Sequence, residues 1–128
     1  MYLLDTNCCI DFLTGRSDAL AQRMRATLGQ IAISTITLAE LAVGNRRSID
    51  PKGDAQRVQS FAASLRVLPF DSDAARVYGA AVRTIGVRRN TFDRLIGAHA
   101  LAVGLILVTA NERDFIDIPG LVVENWTG

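Results

Sequence analysis

A three-layer α/β/α sandwich with a mainly parallel sheet is the fold this 128-residue sequence predicts. Three observations predict it. The chain opens on four apolar residues, Met1 to Leu4, that lead straight to Asp5. A second run, Leu105 to Thr109, is apolar almost throughout, which means burial on both faces, as in a parallel strand. Between such runs the apolar residues recur every three or four positions, so strands alternate with helices. No repeat, low-complexity tract or linker interrupts the pattern, and residues 1–128 read as one domain.

The elements follow in order. After the opening strand, Asn7 to Leu13 reads as a short helix stopped at Gly15. Ser17 is of the right type to cap a second helix, with Leu20, Met24 and Leu28 on one face and Gly29 at its end. Ile31 to Ser34 is a second strand. Ser34 or Thr35 caps a third helix carrying Ile36, Ala39, Leu41, Ala42 and Val43, and Gly44-Asn45 stops it. Arg46 to Asp54 is a polar loop, and Ala55 to Leu65 a fourth helix. Val67 to Phe70 is extended, with Pro69 suiting an edge rather than a centre. Asp71 caps a helix that ends at Gly86. Val87 to Asn90 is a basic loop, and Thr91 caps a helix from Phe92 to about Val103. The strong strand Leu105–Thr109 leads to a polar turn or short helix over Ala110–Phe115. Pro119-Gly120 turns the chain into a last strand, Leu121 to Glu124.

Composition narrows the function classes. The chain is 49% hydrophobic, with no apolar run near the ~18 residues of a membrane span and no signal-peptide pattern at its start, so a cytoplasmic protein is expected. Cys8 and Cys9 are adjacent and cannot form an ordinary structural disulfide, and no C-x-x-C occurs; they read as small side chains on the first helix. The net charge of +1 predicts no nucleic-acid partner by itself. All the basic residues but Lys52 are arginine, which suits planar recognition of carboxylate or phosphate, or else reflects a GC-rich genome.

Three acidic residues stand out from the solvated ones. Asp5 ends a buried strand, where ligands of open α/β sheets bind, although it also suits a helix cap. Glu40 has Ile36, Ala39, Ala42 and Val43 as helical neighbours and projects from a buried stripe; its bland partner would be Arg46 or Arg47. Asp93 shares a helix face with Ile96, Gly97 and Ala100, where Gly97 admits a close approach by backbone or ligand, and its bland role is to complement the helix dipole. Carboxylates ~4 Å apart repel by roughly 4 kcal/mol at an effective dielectric near 20, so a cluster needs a cation or retained protons. Oxygen donors without His or Cys suit Mg²⁺ or Mn²⁺. His99, the only histidine, lies about 240° round the helix from Asp93 and reads as structural. No Gly-rich phosphate loop is present.

Five stretches, in this order and spacing, resemble the PIN-domain ribonucleases and within them the VapC-type toxins of toxin–antitoxin systems. They are Leu3–Asn7, Ser34–Leu41, Phe92–Ala100, Leu107–Asn111 with Phe115, and Ile118–Leu121 with Glu124–Trp126. The resemblance covers essentially the whole chain. It implies a PIN-like α/β/α sandwich and an Mg²⁺- or Mn²⁺-dependent endoribonuclease that cleaves RNA phosphodiester bonds. It also implies a homodimer inhibited by a cognate VapB-type antitoxin. Asp5, Glu40 and Asp93 match the family's three core acidic positions as metal ligands. Asn111 matches a fourth, often acidic position, and Thr91 stands where many members have another Asp. Both departures reduce the carboxylates available to a second metal. Glu112 and Asp114 lie near Asn111, but their register disfavours them as replacements. Asn111 and Thr6 are expected to orient water or phosphate, and the capping role then passes from Asp5 to Thr6 or Asn7. Arg88, Arg89 and Arg94 are expected to hold RNA phosphates or an acidic antitoxin segment, unless they are merely a solvated loop.

Two other readings compete. In a haloacid-dehalogenase-type phosphatase Asp5 would be the nucleophile, but Asn7 stands where the second Asp belongs and Lys52 is a poor candidate for the required lysine. A PIN-like RNA-binding module without catalysis would not need all three core acids.

Overall fold

The computed structural model describes residues 1–87 and 91–128. Its five strands are β1 (Tyr2–Leu4), β2 (Ile31–Ser34), β3 (Arg66–Leu68), β4 (Ile106–Val108) and β5 (Val123–Glu124). They form one sheet in the order β3-β2-β1-β4-β5, and every neighbouring pair is parallel. The helices are α1 (Thr6–Leu13), α2 (Asp18–Ala26), α3 (Thr35–Val43), α4 (Pro51–Ala63), α5 (Ser72–Ile85) and α6 (Thr91–Val103). A single 3-10 turn, Glu112–Asp114, follows β4.

Strand alternation makes the three layers. Leu4, Ile31, Ile33 and Val108 face one side, where they meet Cys8, Cys9, Leu20, Met24 and Phe61 from α1, α2 and α4. Leu3, Ala32 and Leu107 face the other, against Ile96 and Ala100 of α6 and Phe115 and Ile118 beyond the 3-10 turn. α5 packs on α6. β3, with its following Pro69, is an edge strand, as the proline requires.

The sheet order locates the crevice. From β1 the chain moves outward through β2 to β3, then returns to the far side of β1 for β4 and β5. The direction of travel reverses between β1 and β4, and in open α/β sheets the space beyond the carboxyl ends at such a reversal receives ligands. Asp5 leaves β1 there, its N–H donating to the Val108 carbonyl at 3.0 Å.

Several element ends differ from expectation. α4 begins at Pro51 rather than after Asp54, because Asp50 caps it by accepting from the Gly53 N–H and proline suits the first helical position. α2 ends at Ala26, and Leu28 is exposed. Thr91 is the first residue of α6 rather than its cap. The last strand shortens to Val123–Glu124. Cys8 and Cys9 are free and buried on α1, and burial pushes both thiols far above their usual pKa, so they stay protonated. No helix among the described residues is long and apolar enough to cross a membrane.

Candidate active site

Asp5 is only 2% exposed, and it does cap α1: its Oδ1 accepts from the Cys8 N–H at 2.8 Å. The expected transfer of that role to Thr6 or Asn7 is therefore corrected. A carboxylate has two oxygens, and one suffices for the cap, so capping and ligand roles do not compete. Burial raises the Asp5 pKa, while hydrogen bonds from the Thr109 hydroxyl and the Cys8 amide oppose the rise. Thr109, fully buried at the end of β4, also accepts from the Asn111 N–H at 3.0 Å. It thus joins the carboxyl ends of β1 and β4.

Glu40 is half-buried on α3, and its partner is a hydroxyl, not Arg46 or Arg47, which are exposed. Thr6 Oγ1 donates to Glu40 Oε1 at 2.6 Å and stands 3.2 Å from Thr37 Oγ1. A hydroxyl has one proton, so with Thr6 donating to Glu40, Thr37 donates to Thr6. Thr6 is itself 6% exposed. This corrects the expectation that it touches water or phosphate: it fixes the rotamer of Glu40.

Asp93 lies in the first turn of α6. Burial, then the carboxylates of Asp5, Asp114 and Glu40, push its carboxyl up to about 6, and a hydrogen bond with Asp114 adds to the rise. Asp93 therefore holds its proton to a higher pH than a free carboxyl, and a bound cation would relieve the same repulsion. Asp114 thus stands beside Asp93, contrary to the expectation from its register. The 3-10 turn brings it back toward α6, and Asn111 Nδ2 donates to its Oδ2 at 2.5 Å. Asn111 itself is exposed.

Arg94 overturns a second expectation. It is 3% exposed and turned into the protein, where its Nη2 bonds Asp117 Oδ2 at 2.7 Å. One residue apart on a helix means 100° of rotation, which separates Asp93 at the crevice from Arg94 in the core. Arg94 is not available to RNA or an antitoxin. Arg88 and Arg89 lie outside the described residues. Gly97 does permit a close approach, but by apolar side chains: a Cβ there would stand 2.7 Å from Ile118 Cδ1 and 3.1 Å from Phe115 Cδ1. His99 is structural, as its angle on the helix implies. It is buried, edge-on to Phe70, with Nδ1 2.8 Å from the Ser34 hydroxyl that caps α3.

Asp5, Glu40 and Asp114 thus all lie near enough to Asp93 to act on its carboxyl. No described ion pair involves Asp5, Glu40 or Asp93. Their donor set, oxygen only, fits a hard divalent cation. Among the described residues they are not drawn into the spacing of a closed coordination shell, the arrangement that mutual repulsion favours. Thr37, Thr109 and Asp114 were missed by sequence reasoning. Thr109 carried a readable signal, a hydroxyl closing an otherwise apolar strand opposite Asp5. Asp114 carried none without the turn geometry. Lys52 is exposed on α4, so nothing revives the phosphatase reading.

The sequence matches the family model described as PIN domain over residues 2–121. A tRNA(fMet)-specific endonuclease VapC of Salmonella typhimurium is 34% identical, with 98% of this chain and 97% of that protein covered. A ribonuclease VapC2 of Rickettsia felis is 32% identical, with 98% of each covered. The crystal structure of DNA-bound VapBC from Salmonella typhimurium superposes with a TM-score of 0.89 at 34% identity, covering 98% of this chain and 97% of that one. VapBC2 from Rickettsia felis, bound to a promoter DNA fragment, gives 0.87 at 31%, with 98% of each chain covered.

Proposed function

The chain belongs to the PIN-domain family, among its VapC-type ribonucleases, and from that premise we propose that it is the toxin of a toxin–antitoxin pair, a divalent-metal-dependent endoribonuclease. One observation supports the site assignment: Asp5, Glu40 and Asp114 lie close enough to Asp93 to raise its carboxyl, a crowding of oxygen donors that a divalent cation would relieve. Asp5, Glu40 and Asp93 would hold Mg²⁺ or Mn²⁺. When bound, the ion neutralises these acids and polarises a phosphoryl oxygen of the scissile bond.

The chain's own residues supply position. Thr109 and the Cys8 amide hold Asp5 in place at the end of β1. Thr6, backed by Thr37, holds Glu40. Asn111 acts through Asp114, whose carboxylate it steadies beside Asp93. Hydrolysis adds water across one P–O bond: the hydroxyl goes to phosphorus and the proton to the departing ribose oxygen.

A VapB-type antitoxin is the cognate inhibitor, a homodimer the working form, and the cytoplasm the place of action. The Salmonella relative is specific for tRNA(fMet), so initiator tRNA is the first substrate to offer. The test is purified, antitoxin-free protein with total tRNA and Mn²⁺, followed by sequencing of the new RNA ends. Discrete cuts that chelator abolishes are expected. Intact RNA under these conditions overturns the reading.

A further inference from the structure

The segment from Glu112 to Ile118 is tacked to α6 at successive points. Asp117 receives the Arg94 guanidinium at 2.7 Å. One turn further along α6, Gly97 leaves the space that Ile118 and Phe115 fill. Between β4 and these tacks, Asp114 is set beside Asp93. When both acids are ionised their repulsion pushes the segment away from α6, and the Asn111 amide offsets it at Asp114 only in part. Arg94 is the buried cation that resists this push, and it does so from the residue next to Asp93.

Its burial is not what stability alone would select. The Nη1 group of Arg94 is buried with no hydrogen-bond partner among the described residues. Buried ion pairs are often no more stable than well-packed apolar residues of the same volume, and an unsatisfied donor worsens the balance. The pair does, however, fix one register between α6 and the segment.

We infer that Arg94 is a positioning residue: its ion pair with Asp117 holds the 112–118 segment against α6 so that Asp114 stands beside Asp93, and this sets the affinity of the site for a divalent cation. The inference rests on the metal reading proposed above. Groups that orient metal ligands typically cost ten- to a hundredfold in metal affinity when removed.

The test measures Mn²⁺ binding itself, by calorimetry or by the electron paramagnetic resonance of free Mn²⁺, on the full antitoxin-free chain. Arg94→Met, with folding checked by circular dichroism, is expected to bind Mn²⁺ about tenfold more weakly. Arg94→Lys, which keeps the charge, is expected to recover most of that loss. Asp114→Asn is expected to weaken binding, and adding Arg94→Met to it to cost nothing further, because both changes act through one carboxylate. Should Arg94→Met not fold, Arg94→Gln takes its place. A folded Arg94 variant with wild-type Mn²⁺ affinity, or losses that add in full in the double variant, overturns the inference while the metal reading stands. A wild-type chain that binds no Mn²⁺ overturns both.

Discussion

The two halves of the acidic crevice are built on opposite principles. On the α1–α3 side each carboxylate has its own donor: Asp5 the Cys8 amide and Thr109 hydroxyl, Glu40 the Thr6 hydroxyl. On the α6 side Asp93 has another acid, Asp114, for its neighbour. The first half is held in place by hydrogen bonds from neighbouring donors. The second is crowded, and its charge is relieved only by a proton or a cation. A site with both parts has a rigid seat and a half that gains most when an ion arrives.

Breaking the seat has the largest expected effect. Asp5→Asn keeps an oxygen for the Cys8 amide but loses the anionic ligand. RNA cleavage is expected to fall to background, with an unchanged circular dichroism spectrum and no drop in melting temperature; wild-type cleavage by this variant would remove Asp5 from the mechanism. Next, Gly97→Ala disturbs the crowded half by driving a methyl into Ile118 and Phe115. Overpacking of this kind costs about 2 kcal/mol, read as a lower denaturant midpoint, together with weaker cleavage as the segment lifts. Thr6→Val then frees Glu40 while preserving shape. About a tenfold loss of activity is expected, the scale of an orienting group, with stability lowered by about 1 kcal/mol for the lost hydrogen bond. An activity loss with no change in Mn²⁺ affinity would put Thr6 elsewhere in the mechanism.

The smallest effect sharpens the contrast through pH. The carboxyl of Asp93 is raised from 3.8 to about 6, so without metal the folded protein keeps a proton that the unfolded chain releases. The stabilisation is complete below the unfolded value and is lost as pH rises through about 6. His99, lowered by burial, has the opposite sign, costing stability as pH falls. Comparing wild type with Asp93→Asn leaves His99 unchanged in both. Between pH 4 and 7 the metal-free wild type is expected to lose about 1 kcal/mol relative to the variant, allowing for solvent screening. Urea melts at the two pH values measure it, and Mn²⁺ is expected to cancel the loss.

Strand-end and helix-face logic singled out Asp5, Glu40 and Asp93, each with a bland role beside it, and the resemblance to the PIN family named them as ligands; the structure brings Asp5 and Glu40 near Asp93. The partners were not legible. Arg94 lies beside Asp93 in sequence and reads as its companion, yet its true partner, Asp117, is 23 positions on and is delivered by a turn whose geometry no periodicity encodes. Asp114 fails for the same reason: in an extended segment its register points elsewhere, and a single 3-10 turn re-aims it. The hydroxyls of Thr6 and Thr109 come from different parts of the chain and meet Glu40 and Asp5 only after the sheet forms, with Thr37 behind Thr6. The start of α4 is different: Asp50-Pro51 is a capping pair visible in the sequence.

Cys8 and Cys9 lie beneath the seat, on the helix that Asp5 caps, fully buried and held protonated. The folded site therefore hides its only two thiols from electrophiles. Alkylation of this chain becomes a clock for the opening of α1: each modified cysteine records one excursion in which the seat came apart, and an ion that tightens the site slows the clock.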